Sequence, residues 1–288
     1  MPVANAVTRL WLLGHGIEHS PSPAMHNAAL RATNLSPSFS YQNHDVTPEQ
    51  LAGALLALRS GEVHGANVTI PHKRAAAAAC DVLEGDALVM GAVNTLFMRD
   101  GQLVGENTDA RGLEAALRHE GLWPAPGAAV VVLGAGGAAA AAALALSRSR
   151  PRSVAVAARR REAAAAVRQA VSSLGQENFP AGTTDWTVAA VKAALGAAGA
   201  SVLVNATPAG LPDLPVDVAA LPDGCTVIDL RYRPRPVDLV AAARQRGLPA
   251  GDGLEMLLQQ GMLSLRMWTG VEPPLDVARR ALHEAVGA

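Results

Sequence analysis

Lys73 is a residue whose type and setting suit proton transfer. It ends the stretch "GANVTIPHK", residues 65–73, in which apolar and polar side chains alternate. Such alternation predicts a strand with one polar face, and that face includes Thr69. A protonated lysine can oppose the charge of a developing alkoxide and donate a proton to it, whereas arginine does not release its proton. The stretch therefore offers a candidate acid/base residue, with an ordinary surface charge after a strand as the alternative.

Two other segments offer partners for Lys73. A nearby carboxylate would orient the amine and favour its protonated form, and Asp109 in "GENTDARGLEAAL" is the candidate, although it could also be a simple helix N-cap. In "HSPSPAMHN", we expect a helix to start at Pro23 with Ser22 as its N-cap. Ser20 and Ser22 at the positive end of that helix would suit a carboxylate ligand, but capping alone would also explain Ser22.

Amide and hydroxyl side chains complete a set suited to a small polyhydroxy acid. Asn67 and Thr69 belong to the polar face before the lysine, and Asn94 lies in the strand-like segment "GAVNTL". The combination predicts hydrogen bonds to several hydroxyl groups of one substrate.

A glycine-rich turn joins an apolar strand to a helix in "VVVLGAGGAAAAAALALS". Gly134, Gly136 and Gly137 allow a tight turn and close approach of the backbone to a pyrophosphate at the helix N-terminus. A glycine-rich turn without a ligand is the alternative.

The next strand, "SVAVAA", is followed by Arg159, Arg160 and Arg161, where an NAD-binding fold usually has an acidic residue. Guanidinium groups there can bind a 2'-phosphate, so the sequence favours NADP over NAD. A solvated helix start is the alternative. Bound NADP implies hydride chemistry.

These residues need an α/β framework. Short β-branched runs that end at Gly or Pro alternate with Ala/Leu-rich helical patterns, which predicts mostly parallel sheets. The loops up to about residue 112 are rich in His, Asn, Thr and Ser, and Ala, Val, Gly and Arg dominate afterwards. We predict a substrate-binding domain at 1–112, a Rossmann-like doubly wound domain at 113–250, and helices in 251–288 that pack back on the first domain.

Composition excludes several classes of protein. The 24 Lys and Arg residues balance 25 Asp and Glu, so no overall field favours nucleic acid or an anionic membrane. Cys80 and Cys225 lack metal-type spacing and indicate a reducing, cytoplasmic setting. No signal peptide or membrane span is predicted. Six of the eight histidines lie in the first 72 residues but without an HxxxH helix or acid cluster, so we predict no metal.

Taken in order, the motifs resemble the shikimate dehydrogenase family over nearly the whole chain. They are "HSPSPAMHN", "NVTIPHK", "GAVNT", "NTDARG", "GAGGA", "NATPAGL", "DLRYRP" and "GDGLEMLLQQ" followed by "WTG". The resemblance implies a two-domain enzyme with a cleft between the domains. Its reaction is the NADP-dependent reduction of 3-dehydroshikimate to shikimate in aromatic amino-acid (chorismate) biosynthesis.

The resemblance also implies roles for individual residues. Lys73 is the general acid/base and Asp109 its partner at the reacting oxygen. The implied substrate-binding residues are Ser20, Ser22, Thr69, Asn94, Asp109, Tyr232 and Gln260. The implied cofactor-binding residues are Gly134, Ala135, Gly136, Gly137, Ala138, Arg159, Arg160, Thr207, Leu230 and Gly253.

Three positions depart from the family pattern. Ala158, Arg159 and Arg160 replace a common Asn-Arg-Thr run, the proline often found before the serines is missing, and Val237 with Asp238 replaces Thr-Pro. An NAD-preferring quinate/shikimate dehydrogenase is the alternative within this fold. A serine hydrolase is disfavoured because Ser20 and Ser22 have no GxSxG elbow. A ligand-sensing relative without catalysis would lack Lys73 or Asp109. The expected assembly is a monomer or homodimer.

Overall fold

The computed structural model describes residues 7–36, 38–172, 181–196 and 199–288. The chain forms two compact units. The first unit comprises residues 1–108 and 257–288, and the second comprises residues 109–256.

The first unit contains a mixed sheet. Its strands are β1 (Thr8–Gly14), β2 (Phe39–Asp45), β3 (Val63–Val68), β4 (Val82–Leu83), β5 (Thr95–Arg99) and β6 (Gln102–Glu106), and its helices include α1 (Ser22–Ala32), α2 (Leu51–Arg59), α3 (Lys73–Ala78) and α4 (Asp86–Met90). The strand order is β2-β1-β3-β5-β6-β4. β1 pairs in parallel with β2 and β3, whereas β5 is antiparallel to β3 and β6. Consequently β5 begins at the edge where β1 and β3 end.

The second unit contains a parallel sheet. Its helices and strands are α5 (Asp109–His119), β7 (Ala129–Leu133), α6 (Gly137–Ser147), β8 (Ser153–Ala157), α7 (Arg161–Ser172), β9 (Ala181–Thr184), α8 (Val188–Leu195), β10 (Ser201–Asn205), β11 (Thr226–Asp229), α9 (Asp238–Gln245) and β12 (Ala250–Asp252). The strand order β12-β11-β10-β7-β8-β9 places the first strand of the unit beside the fourth, as in dinucleotide-binding sheets. Every residue of β7 is buried, as expected for a central strand covered on both faces. The predicted doubly wound α/β fold is confirmed.

The chain ends in two helices, α10 (Leu254–Thr269) and α11 (Leu275–Val286). Within the first unit α11 packs against α1. Trp268 Nε1 donates a 3.0 Å hydrogen bond to the Leu96 carbonyl, and the indole lies so close to Gly65 that a Cβ there would be 2.4 Å from the ring. Among the described residues, no helix is both long enough and apolar enough to cross a bilayer.

The units divide close to the predicted domain boundaries, which were 112/113 and 250/251. The observed divisions are 108/109 and 256/257. The first differs because α5 packs against α6 of the second unit. The second differs because β12 pairs with β11 and α10 starts before the chain leaves that unit.

Candidate functional site

The polar residues predicted in the first unit gather at one edge of its sheet. Thr69 follows β3, and its amide donates to the Leu13 carbonyl of β1 at 2.8 Å. Lys73 begins α3 one turn later, half-buried, and its carbonyl accepts the Val93 amide at 3.0 Å. The Asn94 carbonyl accepts the Val68 amide at 2.9 Å. The ends of β1 and β3 and the start of β5 thus bring Thr69, Lys73 and Asn94 to one edge.

Asn94 and Gln260 are in direct contact there. The buried Asn94 amide donates to Gln260 Oε1 at 3.0 Å and to Thr108 Oγ1 at 2.9 Å. Asn94 Oδ1 accepts the Thr108 amide at 2.8 Å, and Gln260 Nε2 donates to the Leu257 carbonyl at 2.8 Å. These bonds use both amide hydrogens of Asn94 and hold the two side-chain amides in one orientation.

Asn67 is committed to the protein interior. Its Nδ2 donates to the Asn94 carbonyl and to Ser264 Oγ, both at 2.9 Å, and its Oδ1 accepts the Tyr41 hydroxyl at 2.9 Å. Both amide hydrogens of Asn67, like those of Asn94, are therefore used within the protein, where they support the site.

Ser20 and Ser22 lie together at the start of α1. Ser20 Oγ donates to Ser22 Oγ at 3.2 Å and accepts the Ser22 amide at 3.3 Å. The prediction that Ser22 is the N-cap is wrong, because α1 begins at Ser22 and Pro21 occupies the cap position. Proline has no side-chain acceptor, and Ser20 Oγ instead accepts the amide of Ser22, the first residue of the helix.

Asp45 at the end of β2 supports the loop that leads to these serines. Its carboxylate accepts the Gly16 amide at 2.6 Å, the Ile17 amide at 3.0 Å and a 3.0 Å contact from His15 Nδ1. The hydrogen bonds from Ile17 and His15 lower the pKa of Asp45. The amide of His15 in turn donates to the Ile70 carbonyl at 3.1 Å, which joins this loop to the one before Lys73.

Asp109 and Tyr232 belong to the second unit. The buried Asp109 is the first residue of α5, where a carboxylate is favourable to the helix dipole. Tyr232 follows β11, half-buried, and burial raises the pKa of its hydroxyl while Arg233 opposes the rise. The hydroxyl is therefore a neutral donor at physiological pH.

A cavity of about 320 Å³ opens at the carboxyl ends of the strands of the second unit. Its lining includes six residues that the sequence predicted as cofactor ligands: Gly134, Ala135, Gly136, Arg159, Arg160 and Thr207. Five further lining residues were not predicted: Ala158, Ala163, Trp186, Pro208 and Ala209. β9, which leads to Trp186, had no clear apolar pattern in the sequence, and no local motif marks the tryptophan.

The glycine turn leaves space beside the start of α6. Gly134 has φ 117, and a Cβ there would lie 2.9 Å from the Ala206 carbonyl oxygen. Gly136 is extended, Gly137 starts the helix, and the first amide to bond back along the helix is that of Ala140. The earlier amides at Gly137 and Ala138 therefore point out of the helix end, as an anion-binding turn requires.

The three arginines after β8 have different surroundings. Arg159 and Arg160 line the cavity, and Arg159 Cζ lies 5.8 Å from the centroid of the Trp186 ring. Arg161 instead pairs with Asp185. Two of the three arginines consequently line the cavity beside the glycine turn.

Leu230 and Gly253 lie against each other, because a Cβ on Gly253 would be 2.0 Å from the Leu230 carbonyl oxygen. Neither lines the cavity described above. Thr207 is held by its amide and hydroxyl, which donate to Asn205 Oδ1 at 3.0 and 2.7 Å, and Asn205 Nδ2 donates to the buried Asp229 at 3.1 Å. The β10 and β11 loops are thus connected through buried polar groups.

Arg231 and Asp238 account for one departure from the family pattern. Arg231 forms hydrogen bonds with both oxygens of Asp229 and also pairs with Asp238 at the start of α9. Asp238 therefore supports the β11 loop. Among the described residues, no group of three His, Cys, Asp or Glu could hold a metal ion.

Two family models match the chain. The shikimate dehydrogenase substrate binding domain matches residues 12–96, and the Shikimate 5'-dehydrogenase C-terminal domain matches residues 253–283. The first match covers Ser20, Thr69, Lys73 and Asn94, and the second covers Gln260.

Similarity to individual proteins extends over nearly the full length. A shikimate dehydrogenase (NADP(+)) of Rubrobacter xylanophilus is 42% identical over 278 residues, with 94% of each chain covered. The crystal structure of shikimate 5-dehydrogenase from Thermus thermophilus in complex with NADP(H) and shikimate is 35% identical, with TM-score 0.82 and coverage of 97% of this chain and 100% of that one. Quinate dehydrogenase from Corynebacterium glutamicum in complex with NAD is 31% identical, with TM-score 0.83 and coverage of 96% and 99%.

Proposed function

Because this chain belongs to the shikimate dehydrogenase family, we propose that it catalyses the reversible, NADP-dependent reduction of 3-dehydroshikimate to shikimate. The observation that carries the proposal is the sheet edge of the first unit, where Lys73 lies among fixed amide and hydroxyl groups. A cavity with a glycine turn and two arginines in the second unit supplies the features that a dinucleotide phosphate needs.

Lys73 is the general acid/base of the proposed mechanism. NADPH, when bound, supplies the hydride. Lys73 donates a proton to the carbonyl oxygen as it becomes an alkoxide, and accepts it in the reverse direction. Asp109 orients the amine and favours its protonated form. An amine is required because a permanently charged group would stabilise the alkoxide without delivering a proton.

The remaining polar residues position the substrate. Ser20, Ser22 and Tyr232 donate hydrogen bonds to the substrate carboxylate. Thr69, Asn94 and Gln260 bind ring hydroxyls, and the Asn94–Gln260 contact supports this role because it sets the spacing of the two amides.

Cofactor binding is assigned to the cavity of the second unit. Gly134 fits this role because any side chain there would meet the Ala206 backbone. Residues 134–138 hold the pyrophosphate, and Arg159 with Arg160 bind the 2'-phosphate by charge-assisted hydrogen bonds. Thr207, Leu230 and Gly253 lie along the nicotinamide side. The first unit is accordingly the substrate domain and the second the NADP domain.

The cellular setting follows from the proposed reaction. The enzyme works in the cytoplasm in aromatic amino-acid biosynthesis, as a monomer or homodimer, with small molecules as its ligands. The balance of positive and negative side chains offers no overall field that would attract nucleic acid or an anionic membrane, so neither is proposed as a partner.

An NAD-dependent quinate dehydrogenase is the second candidate, favoured by the similarity to the Corynebacterium enzyme. The arginines beside the cavity oppose it, because they offer no carboxylate for the ribose hydroxyls of NAD. Ser20 and Ser22 also support the shikimate assignment.

A spectrophotometric assay of shikimate and quinate, each with NADP and NAD, tests the proposal. We expect kcat/KM for shikimate with NADP to exceed every other combination by about tenfold or more, since one charge-assisted hydrogen bond contributes about 1.5–3 kcal/mol. Highest activity with quinate and NAD would establish the second candidate. Absence of turnover in all four combinations would refute both.

A further inference from the structure

Trp186 lies between β9 and α8. Among the described residues that line the cavity, it is the one aromatic residue. The ring is partly buried and packs on the apolar core of the second unit. Both of its chain neighbours are held. Asp185 pairs with Arg161, and Thr187 caps α8 by accepting the Ala190 amide at 3.2 Å. These contacts hold the backbone on both sides of the indole, which lines the cavity.

The cavity surface has two chemically different parts. Arg159 and Arg160 supply positive charge, whereas Ala158, Ala163 and Trp186 are apolar. An adenosine 2'-phosphate also has two parts, because its phosphate and its base are attached to the same ribose. A phosphate at Arg159 would leave the base within a few ångströms, and the Trp186 ring centroid is 5.8 Å from Arg159 Cζ. The neighbour that a purine base favours is a flat, polarisable side chain.

We propose that Trp186 binds the adenine base of the dinucleotide by stacking. This inference rests on the proposed cofactor role of the cavity and assigns one more residue to it. Stacking acts on the base, so it contributes equally to NADP and NAD. Arg159 acts on the 2'-phosphate and contributes to NADP alone. Trp186 therefore contributes to the affinity for both dinucleotides, and Arg159 contributes to the preference for NADP over NAD.

Binding of two fragments to the full-length chain separates these contributions. Calorimetry with 5'-AMP and 2',5'-ADP measures adenine recognition without and with the 2'-phosphate. We expect Trp186→Ala to weaken both ligands by about tenfold, the order of one base-stacking contact, and Trp186→Phe to restore most of the affinity. Arg159→Ala should weaken only 2',5'-ADP.

Trp123→Ala is the matched control. Trp123 belongs to the same unit and carries Arg118 over its ring at 4.4 Å, but it does not line the cavity. Its removal should leave both dissociation constants unchanged. Thermal unfolding of each variant shows whether the fold is intact, and Trp186→Phe preserves the core packing if the alanine variant unfolds.

Two outcomes would overturn the inference. In one, folded Trp186→Ala or Trp186→Leu binds both fragments as the wild type does. In the other, the substitution weakens the binding of 2',5'-ADP but not of 5'-AMP, which would mean that Trp186 acts only through Arg159. If the wild type oxidises shikimate with NADP in either case, the proposed function stands. A wild type that binds neither 2',5'-ADP nor NADP would instead refute the cofactor assignment.

Discussion

Lys73 and Lys192 are the only lysines of the sequence, and they have opposite settings. Lys73 is half-buried at the start of α3, beside the loop of Thr69, whereas Lys192 is exposed on α8. A half-buried side chain has less conformational freedom than an exposed one, which favours proton transfer to a bound oxygen.

Replacing Lys73 by methionine should lower kcat by about 10²–10⁴-fold and change KM for shikimate little, because the amine acts on charge that develops in the transition state. Lys73→Arg should be nearly as slow, since a guanidinium keeps the charge but does not donate its proton. Steady-state kinetics of both variants measure the effect, with Lys192→Met as the control that retains wild-type turnover. A methionine variant with near-wild-type kcat would remove Lys73 from the mechanism.

Individual helices and strands show where local patterns were sufficient. The apolar segment predicted as a strand before the glycine turn became β7, because a continuous β-branched run suits a buried parallel sheet. β6 was not predicted, although Asp100 and Gly101 have φ 51 and 76 and form the two-residue turn that joins it to β5. An Asp-Gly pair is a hairpin signal, but the expected alternation of strands with helices did not predict a hairpin here.

His26 shows how α1 packs over the sheet. Its ring is fully buried and stacks on Tyr41 of β2, with centroids 3.9 Å apart and planes 4° apart. Neither ring nitrogen has a hydrogen-bond partner among the described residues. Burial lowers the pKa of His26 to about 3, so the folded protein holds the ring neutral.

Stability should therefore fall as pH decreases from about 6.5 towards 3, where the unfolded chain binds a proton at His26 that the folded chain excludes. The slope from this group is about 1.4 kcal/mol per pH unit within that window. His26→Phe removes this pH dependence. The free energy of unfolding of the variant minus that of the wild type, measured in urea, should therefore increase as the pH is lowered from 7 to 5. His119→Gln, at an exposed position of α5, is the control. An equal difference at both pH values would contradict a neutral, buried His26.

Each unit of the molecule has its own hydrophobic core. One core centres on β1, β3 and α2, with Leu13, Leu58 and Leu96 fully buried, and the other includes Leu133, Leu203 and Val227. With separate cores, a ligand that binds one unit can stabilise that unit by mass action.

Hydrogen exchange measured by mass spectrometry should consequently distinguish the ligands. NADP is expected to slow exchange mainly in the loops after β7, β8 and β10, and shikimate mainly in the loops after β1 and β3. Arg159→Ala should lose the NADP effect and keep the shikimate effect. Protection by NADP confined to residues 1–108 would contradict the assigned roles of the two units.

The sequence by itself determined the α/β class, the glycine turn and the chemical type of the candidate residues. Hydrophobic period and turn chemistry are local properties, readable within a dozen residues. Only the tertiary structure decided that Asn94 bonds to Gln260, 166 positions away, that Asn67 is used in support, and that Trp186 lines the cavity with Arg159. These contacts depend on strand order, strand direction and the packing of distant segments, which no single stretch of residues encodes.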